Sequence, residues 1–338
     1  MRLKDIGEDA LIGAIAKRFA ARHPRLTKGI GDDACVIREL GGRVLLATTD
    51  VLIEDTHFKR SYTPPRLLGR KALSISLSDI AAMGGEPLFF LVSIALPPDT
   101  DKGFVDGLYD GLGDAGGKSK CLLIGGNTAK SRHGITVSTT VFGEAPANEV
   151  AYRKGARAGD LVFVTGELGS SALGLWALGA RGKAAAKGPY RGSVAKHLDP
   201  EPRLTAGKAL AASGLASSMM DLSDGLALDL KRLCIESGRA AVVNISSLPA
   251  SKELQKFGRQ AGRRRMFEFA LTGGEDYELL FTSPESNLKS LSRLSRRLSL
   301  PFTPIGRIVP AKSAVRAVTV LDEDGSPVAL GREGFEHF

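Results

Sequence analysis

The chain has 338 residues, of which 43% are hydrophobic and 25% charged, and its 46 basic and 37 acidic side chains give a formal net charge of +9. One hydrophobic core stops growing near ~250–300 residues, so this length predicts about two domains, and the composition excludes a mainly disordered protein. The positive charge favours an anionic ligand, but no nucleic-acid-binding motif accompanies the basic segments.

Cysteine usage and hydropathy indicate the compartment. The three cysteines, Cys35, Cys121 and Cys234, are odd in number and lack metal-ligand spacing, so neither a disulfide framework nor a zinc site is predicted. The first residues carry acids and bases at helical spacing instead of an apolar signal-peptide core, and no stretch approaches the ~20 apolar residues of a membrane span. We therefore expect a cytoplasmic protein with no membrane partner.

The first half of the chain alternates predicted helices and strands. Apolar residues from Leu11 to Phe19 recur at spacings of three and four, which predicts an amphipathic helix over 9–19. A helix beginning at Pro65 and closing at Gly84 places Asp79 in its last turns. The other predicted elements are a strand over 44–47 that delivers Thr48, Thr49 and Asp50 at its end, strands over 89–96, 121–124 and 135–142, and a helix over 105–115.

A turn-rich segment over 143–148 divides the chain into predicted domains of residues 1–148 and 149–338. The second half is predicted to contain strands over 161–165, 267–271 and 277–281. Helices are predicted over 171–178 and 203–213, on either side of a basic insertion over 181–196. A further helix is predicted to begin at Leu226, with Ser223 or Asp224 as its cap, and to end at Gly238. Helix and strand alternate in both halves, which predicts an α/β or α+β fold.

Acidic residues recur where predicted elements end, namely Asp32, Asp33, Asp50, Asp79, Asp221, Asp224, Glu275 and Asp276. Any one of them alone is better explained as a helix cap or a solvated turn. If they converge, their mutual repulsion requires a cation, and Mg²⁺ suits such oxygen ligands and also bridges phosphates. The glycine pairs at 125–126 and 273–274 allow close backbone approach to a ligand, although neither forms a Walker loop.

The ordered motifs GIGDDA, TTDVLIEDTHF, LSDIAAMGG, GGNT, MDLSDGL and TGGEDYEL together resemble the thiamine-monophosphate kinase family. This family belongs to the aminoimidazole ribonucleotide synthetase (PurM-like) superfamily of ATP-dependent enzymes, and the resemblance extends to the terminal GFEHF. It implies a two-domain PurM-like fold whose N-terminal domain forms a β-barrel across a homodimer, beside a C-terminal α/β domain. It also implies ATP as co-substrate, Mg²⁺ as cofactor, and direct in-line transfer of the γ-phosphoryl group to thiamine monophosphate.

The resemblance also implies individual roles. Asp50, Asp79 and Asp221 are implied to be catalytic. Asn127 stands where the family's GGDT motif has an aspartate, so the metal count or affinity there is open. For Phe335, the residues leave stacking on the acceptor and a hydrophobic plug equally open. The implied metal ligands are Asp32, Thr48, Thr49, Asp50, Asp79, Asn127, Asp221 and Asp224, the implied ATP contacts are Gly126, Asn127, Arg153 and Ser223, and the implied acceptor contacts are His57, Glu275 and Phe335.

Two alternatives remain at this point. Another superfamily enzyme, of the purine-biosynthetic or selenophosphate synthetase type, would share the ATP site but not the acceptor, and TTDVLIEDTHF and GFEHF argue against it. A nucleic-acid-binding protein that uses the net charge would lose affinity steeply with salt, and the acidic motifs argue against that class. The motifs leave open the number of metal ions and whether the basic insertion over 181–196 closes as a lid.

Overall fold

The computed structural model describes residues 5, 7–19, 23–311, 317–331 and 333–337. The N-terminal half contains α1 (Glu8–Arg18), β1 (Leu26–Lys28), β2 (Cys35–Arg38), β3 (Arg43–Ile53), α2 (Pro65–Ala82), β4 (Glu86–Leu96), α3 (Lys102–Ser119), β5 (Leu122–Lys130) and β6 (Thr136–Pro146). Its six-stranded sheet has the order β1-β2-β3-β6-β4-β5, with β4 and β5 parallel and the other pairs antiparallel. Buried residues of α2, α3, β3, β4 and β6 form the first hydrophobic core on one face of this sheet.

The C-terminal half builds a second sheet. It contains β7 (Leu161–Thr165), α4 (Ser170–Arg181), α5 (Arg191–Leu198), α6 (Leu204–Ala212), β8 (Ser218–Asp221), α7 (Leu226–Ser237), β9 (Arg239–Asn244), α8 (Lys252–Ala261), α9 (Arg263–Thr272), β10 (Leu279–Ser283), α10 (Leu288–Leu298), β11 (Phe302–Pro310) and β12 (Val318–Leu321). This sheet also has six strands, in the order β12-β9-β11-β7-β10-β8. The mixed α/β two-domain architecture is confirmed, and neither sheet closes into a barrel among the described residues.

Helix α2 lies between the two halves and is buried along most of its length. Leu68, Leu73 and Ile80 pack into the first core. Ala81 and Ala82 at its end instead join a cluster with residues of the second half, including Phe163, Leu210 and Met219. Because one helix serves both cores, it holds its polar residues at a fixed position between the two sheets.

Several predicted elements are wrong in extent or type. The strand predicted over 44–47 continues to Ile53, because β3 pairs residue by residue with β6 along its whole length. The glycines at 125–126 lie inside β5 and do not follow a strand, and β6 continues to Pro146, within the predicted turn-rich segment. Residues 267–271 are helical, and part of the basic insertion is helix α5, whose Val194 and Leu198 are buried against α4. The boundary at 148 stays a prediction.

No helix in the described ranges is both long enough and apolar enough to cross a membrane.

Candidate active site

A cleft of about 880 Å³ opens between the two halves of the chain. Its walls come from the end of β3 and the loop that follows, from the start of α4, from the loops before α7 and β10, and from the carboxyl-terminal tail. Seven of the residues singled out in the sequence line it: Thr49, Asp50, His57, Ser223, Asp224, Glu275 and Phe335. The cleft therefore brings together predicted residues of the metal, nucleotide and acceptor groups.

Three carboxylates, two of them buried, meet beside this cleft. One oxygen from each of Asp33, Asp79 and Asp221 lies within 4.8 Å of the others, which is a spacing suited to one cation. The Ser78 hydroxyl, on α2, donates to Asp221 Oδ2 at 2.7 Å, and Asp79 is the next residue of the same helix. Two serines of α2 thus orient carboxylates on different strands, because the Ser76 hydroxyl donates in the same way to Asp50 Oδ2 at 2.7 Å.

Burial and mutual repulsion raise the pKa values of the carboxylates around this site. Burial, together with the negative charges of Asp50, Asp221 and Asp33, raises the pKa of Asp79 well above its usual value. Burial and the charge of Asp33 raise the pKa of Asp221 in the same way, and burial raises the pKa of Asp50. Desolvated carboxylates that repel one another bind a proton or a cation more readily than exposed ones.

The GIGDDA motif contributes both of its aspartates, but in different ways. Asp32 was expected to be the metal contact, whereas the carboxylate of Asp33 is the one that lies with those of Asp79 and Asp221. Asp32 accepts from the Arg153 backbone N–H at 3.1 Å and forms an ion pair with Lys28, and burial raises its pKa to about 6. Asp33 Oδ2 is buried without a hydrogen-bond partner, which fits a cation at this position, whereas Asp32 Oδ2, also without a hydrogen bond, already lies 3.5 Å from Lys28 Nζ.

Arg153 was expected at ATP, and in this structure its guanidinium forms an ion pair with Asp33. The nearby aspartates raise its pKa against the opposing effect of burial. A fixed cation therefore lies beside the carboxylate cluster, where it offsets part of the negative charge.

Thr48 and Thr49 were both predicted as metal ligands, but successive residues of a strand point to opposite faces. The Thr48 hydroxyl donates to Asp79 and so belongs to the cluster. The Thr49 hydroxyl bonds instead to the Thr139 carbonyl and lies 3.0 Å from the Thr140 hydroxyl. The side chain of Thr49 is thus directed away from the three carboxylates.

The side chain of Ser223 or Asp224 was expected to cap helix α7, and this prediction is wrong. Asp229, inside the helix, accepts from the backbone N–H groups of Asp224 and Gly225 at 3.1 Å each. The N-cap residue of α7 is Gly225, which has no side chain, and the carboxylate of Asp224 instead pairs with Arg232 and lines the cleft, with Ser223 beside it. Arg232 was not found from the sequence.

A second wall of the cleft holds Glu275, whose backbone has φ +65°. Its N–H donates to the Ser223 carbonyl at 2.7 Å, and a Cβ on the preceding residue, Gly274, would lie 2.6 Å from that same carbonyl oxygen. The glycine is therefore required for the two loops to meet. Glu275 Oε1 lies 2.7 Å from Lys71 Nζ, and Glu275 Oε2 lies 3.1 Å from His197 Nδ1. Lys71 and His197 were missed, because neither belongs to a recognised motif.

The remaining acceptor residues lie at the mouth of the cleft. His57 Nδ1 accepts from the Ile53 backbone N–H at 3.0 Å, and burial lowers its pKa. The Phe335 N–H donates to the Asp224 carbonyl at 2.9 Å, which fixes the carboxyl-terminal tail against the loop before α7. The Phe335 ring is 40% exposed, an accessibility that suits a binding face better than a hydrophobic plug.

Gly126 and Asn127 do not reach the cleft in a single chain. They lie in β5, the exposed edge strand of the first sheet, and Asn127 is in register with Ser93 of β4. Two further strands, β4 and β6, separate β5 from β3 and its Asp50.

A sequence profile described as the AIR synthase related protein, N-terminal domain, matches residues 31–145, and one described as the AIR synthase related protein, C-terminal domain, matches residues 157–318. The two domains and the carboxylate-lined cleft between them thus define a member of the AIR synthase related proteins.

Full-length relatives identify the branch of this class. The thiamine-monophosphate kinases of Bacillus subtilis and Escherichia coli K12 are 34% and 35% identical, over 97% and 98% of this chain and 98% of each relative. A solved structure described as AaThiL complexed with AMPPCP and TMP has a TM-score of 0.85 and 37% identity, covering 100% of this chain and 99% of that one. The Thiamine Monophosphate Kinase from Aquifex aeolicus gives a TM-score of 0.78 at 34% identity, covering 97% and 99%. The chain belongs to the thiamine-monophosphate kinase family.

Proposed function

We propose that this protein transfers the γ-phosphoryl group of ATP to thiamine monophosphate, giving thiamine diphosphate and ADP. The observation that carries the proposal is a cleft that is lined by Glu275, His57 and Phe335 and that has a cluster of three carboxylates beside it. A relative similar over the whole chain is described as binding AMPPCP, an analogue of ATP, together with TMP. Thiamine diphosphate biosynthesis in the cytoplasm is the corresponding role.

Asp33, Asp50, Asp79 and Asp221 would hold Mg²⁺, with Thr48 and Asp224 at the edge of the set and Asp32 behind it. The bound ions supply charge neutralisation to the phosphate oxygens that carry negative charge during transfer. The rigid α2, through Ser76 and Ser78, fixes the orientation of two of these carboxylates. The acceptor phosphate is already anionic near neutral pH, so the residues need only align the two phosphates in line and exclude water.

On the nucleotide side, Ser223 and Arg153 lie next to the cluster and are proposed to contact ATP. Arg153 would then divide its hydrogen bonds between Asp33 and a phosphate, since a guanidinium has five donors. On the acceptor side, Glu275 and the Phe335 ring would receive the aminopyrimidine and the cationic thiazolium, because a carboxylate and an aromatic face both favour a delocalised cation.

The open face of the first sheet supports a homodimer. Val51, Ile53 and Phe89 on this face, and Leu122, Leu123 and Ile124 in β5, are all exposed apolar residues. Several exposed apolar residues on one face and edge of a sheet are typical of a protein interface. A second copy packed on it would complete the barrel expected from the sequence and would place Gly126 and Asn127 beside the partner chain. The variant Leu123→Arg should shift the protein from dimer to monomer in light scattering, whereas a wild type that is already monomeric contradicts the dimer.

The reaction is tested by incubating the purified protein with ATP, MgCl₂ and thiamine monophosphate and separating the products by chromatography. We expect one ADP for each thiamine diphosphate formed, and no product when EDTA removes the metal. Unphosphorylated thiamine, aminoimidazole ribonucleotide precursors and selenide serve as control acceptors for the alternative enzymes. ADP release with one of these and none with thiamine monophosphate would overturn the proposal.

A further inference from the structure

Lys71 is a buried cation that no sequence motif explains. It lies in the middle of α2, and its side chain is 1% exposed although it carries an ammonium group. Burying an unpaired charge costs far more than burying a neutral polar group, so such a lysine is retained only with a partner. The partner is Glu275, at 2.7 Å.

Glu275 is held from two directions. Lys71 reaches one carboxylate oxygen from α2, and the His197 ring, on α5 and also buried, reaches the other. The Ser171 hydroxyl lies 3.0 Å from the same His197 nitrogen and fixes the ring in turn. These contacts come from three separate elements, so they determine the position of the carboxylate independently of the loop that carries it.

The loop itself is strained at this point. Glu275 has φ +65° and Tyr277 has φ +48°, a conformation that residues with a side chain adopt at a cost. Such a conformation persists only where surrounding contacts determine it, and here the ion pair with Lys71 supplies one of them. Burial alone would raise the pKa of Glu275, but Lys71 and His197 outweigh burial and hold this pKa below its usual range.

We propose that Lys71 and His197 are positioning residues that hold the Glu275 carboxylate ionised and in one orientation toward the cleft, and so determine how tightly the organic part of the acceptor binds. The inference rests on the proposed function, since it takes thiamine monophosphate as the acceptor. The acceptor's amino group donates N–H bonds and its thiazolium is cationic, and both match a fixed carboxylate. Lys71 itself touches neither substrate.

The test compares Lys71→Met with Glu275→Gln and with the double variant. Each single variant should raise KM for thiamine monophosphate roughly tenfold, the effect of about 1.4 kcal/mol, while KM for ATP and kcat change less than about threefold. Because Lys71 acts through Glu275, adding Lys71→Met to Glu275→Gln should raise this KM no further. Additive effects in the double variant, or an unchanged KM in Lys71→Met, would overturn the proposal.

His197 provides a second route if Lys71→Met does not fold. His197→Asn keeps an N–H donor near the position of Nδ1 and should retain the wild-type KM for the acceptor, whereas His197→Leu should raise it. Equal KM values in these two variants contradict the positioning role. Lys118→Met, which removes an exposed lysine paired with Glu201, is the matched control for loss of a charge.

Equilibrium binding of thiamine monophosphate, measured by calorimetry, separates this inference from the proposed function. A wild type that binds the acceptor but does not phosphorylate it contradicts the reaction alone, and the affinities of the variants still test the role of Lys71. A wild type that phosphorylates it while Lys71→Met and His197→Leu bind it equally well contradicts only this inference. A wild type that does not bind it contradicts both.

Discussion

The two carboxylate walls of the cleft are built in opposite ways. Asp79 and Asp221 lie among other acids, and burial raises their pKa values. Glu275 is also enclosed, but Lys71 and His197 keep its pKa low. At the first wall Arg153 offsets only part of the negative charge, whereas the carboxylate of the second wall is already paired with cationic or donor groups of the chain. This difference supports our proposal that the first wall binds metal ions and the second receives the organic acceptor.

The largest effect is expected at the first wall. Asp79→Asn keeps the shape of the side chain and removes its charge, so we expect turnover to fall roughly 10³-fold, as for loss of a transition-state charge contact. MgCl₂ should raise the melting temperature of the wild type and have less effect on the variant, because ligand binding to the folded state stabilises it. Asp106→Asn, an exposed acid paired with Lys102, is the control. A folded Asp79→Asn variant with wild-type turnover would remove Asp79 from the site.

At the second wall the aromatic residue is expected to act on the acceptor alone. Phe335→Ala should raise KM for thiamine monophosphate roughly tenfold, equivalent to about 1.4 kcal/mol, with KM for ATP and the melting temperature unchanged. Phe19→Ala, which removes a ring that is 63% exposed on the other terminal segment, should change neither KM. Loss of stability together with equal effects on both substrates would instead indicate that the ring is a hydrophobic plug.

Asp276, the residue after Glu275, ties the loop before β10 to α4, because its carboxylate accepts from the Gly169 and Ser171 backbone N–H groups at the start of that helix. Burial raises its pKa to about 7. A raised folded-state pKa stabilises the protein fully below the unfolded value near 3.8, and this stabilisation is lost as the pH rises through about 7.

The variant Asp276→Asn stays neutral, so its melting temperature relative to the wild type should increase by about a few degrees between pH ~5 and ~8. Thermal melts of both proteins at several pH values measure this difference. A constant difference over that range would show that Asp276 does not titrate there. Asp106→Asn should show no such trend.

The smallest effect is expected outside both walls, at Asn127. The variant Asn127→Asp adds a carboxylate where the family has one, and in a dimer it should lower the Mg²⁺ concentration for half-maximal rate, by roughly twofold. An unchanged titration would mean that Asn127 does not face a metal, in agreement with its position on the edge strand of a single chain.

The sequence predicted the class of fold, the family and most of the elements, since these depend on local periodicity and on ordered motifs. It failed where partners distant in the chain decide the structure. The strand over 44–47 continues because β6 pairs with it, and residues 267–271 fold as a helix although their apolar composition suggested a strand. Helix α7 begins after Gly225 with no side-chain cap, and the N–H groups of Asp224 and Gly225 donate instead to Asp229, one turn into the helix.

The site was predicted in part for the same reason. Motifs selected Asp50, Asp79, Asp221 and Glu275 as candidates, because these residues stand in the ordered motifs that resemble the family. They did not distinguish Asp33 from its neighbour, since the direction of each side chain depends on where Lys28 and Arg153 lie. Lys71 and His197 belong to no motif. Their proposed role follows only from the packing of α2 and α5 against the loop that contains Glu275.

The position of α2 between the halves has a consequence for the newly made protein. During synthesis, Arg153, the partner of Asp33, is added 120 residues after it, and Asp221, the partner of Ser78, is added 143 residues after it. A ribosome adding about 5–20 residues per second needs roughly 6–30 s to supply these partners. During that interval Ala81 and Ala82 have no Phe163 or Leu210 to cover them. The nascent first half therefore leaves this end of α2 uncovered until the second half is made, and transiently exposed apolar surface of this kind favours aggregation.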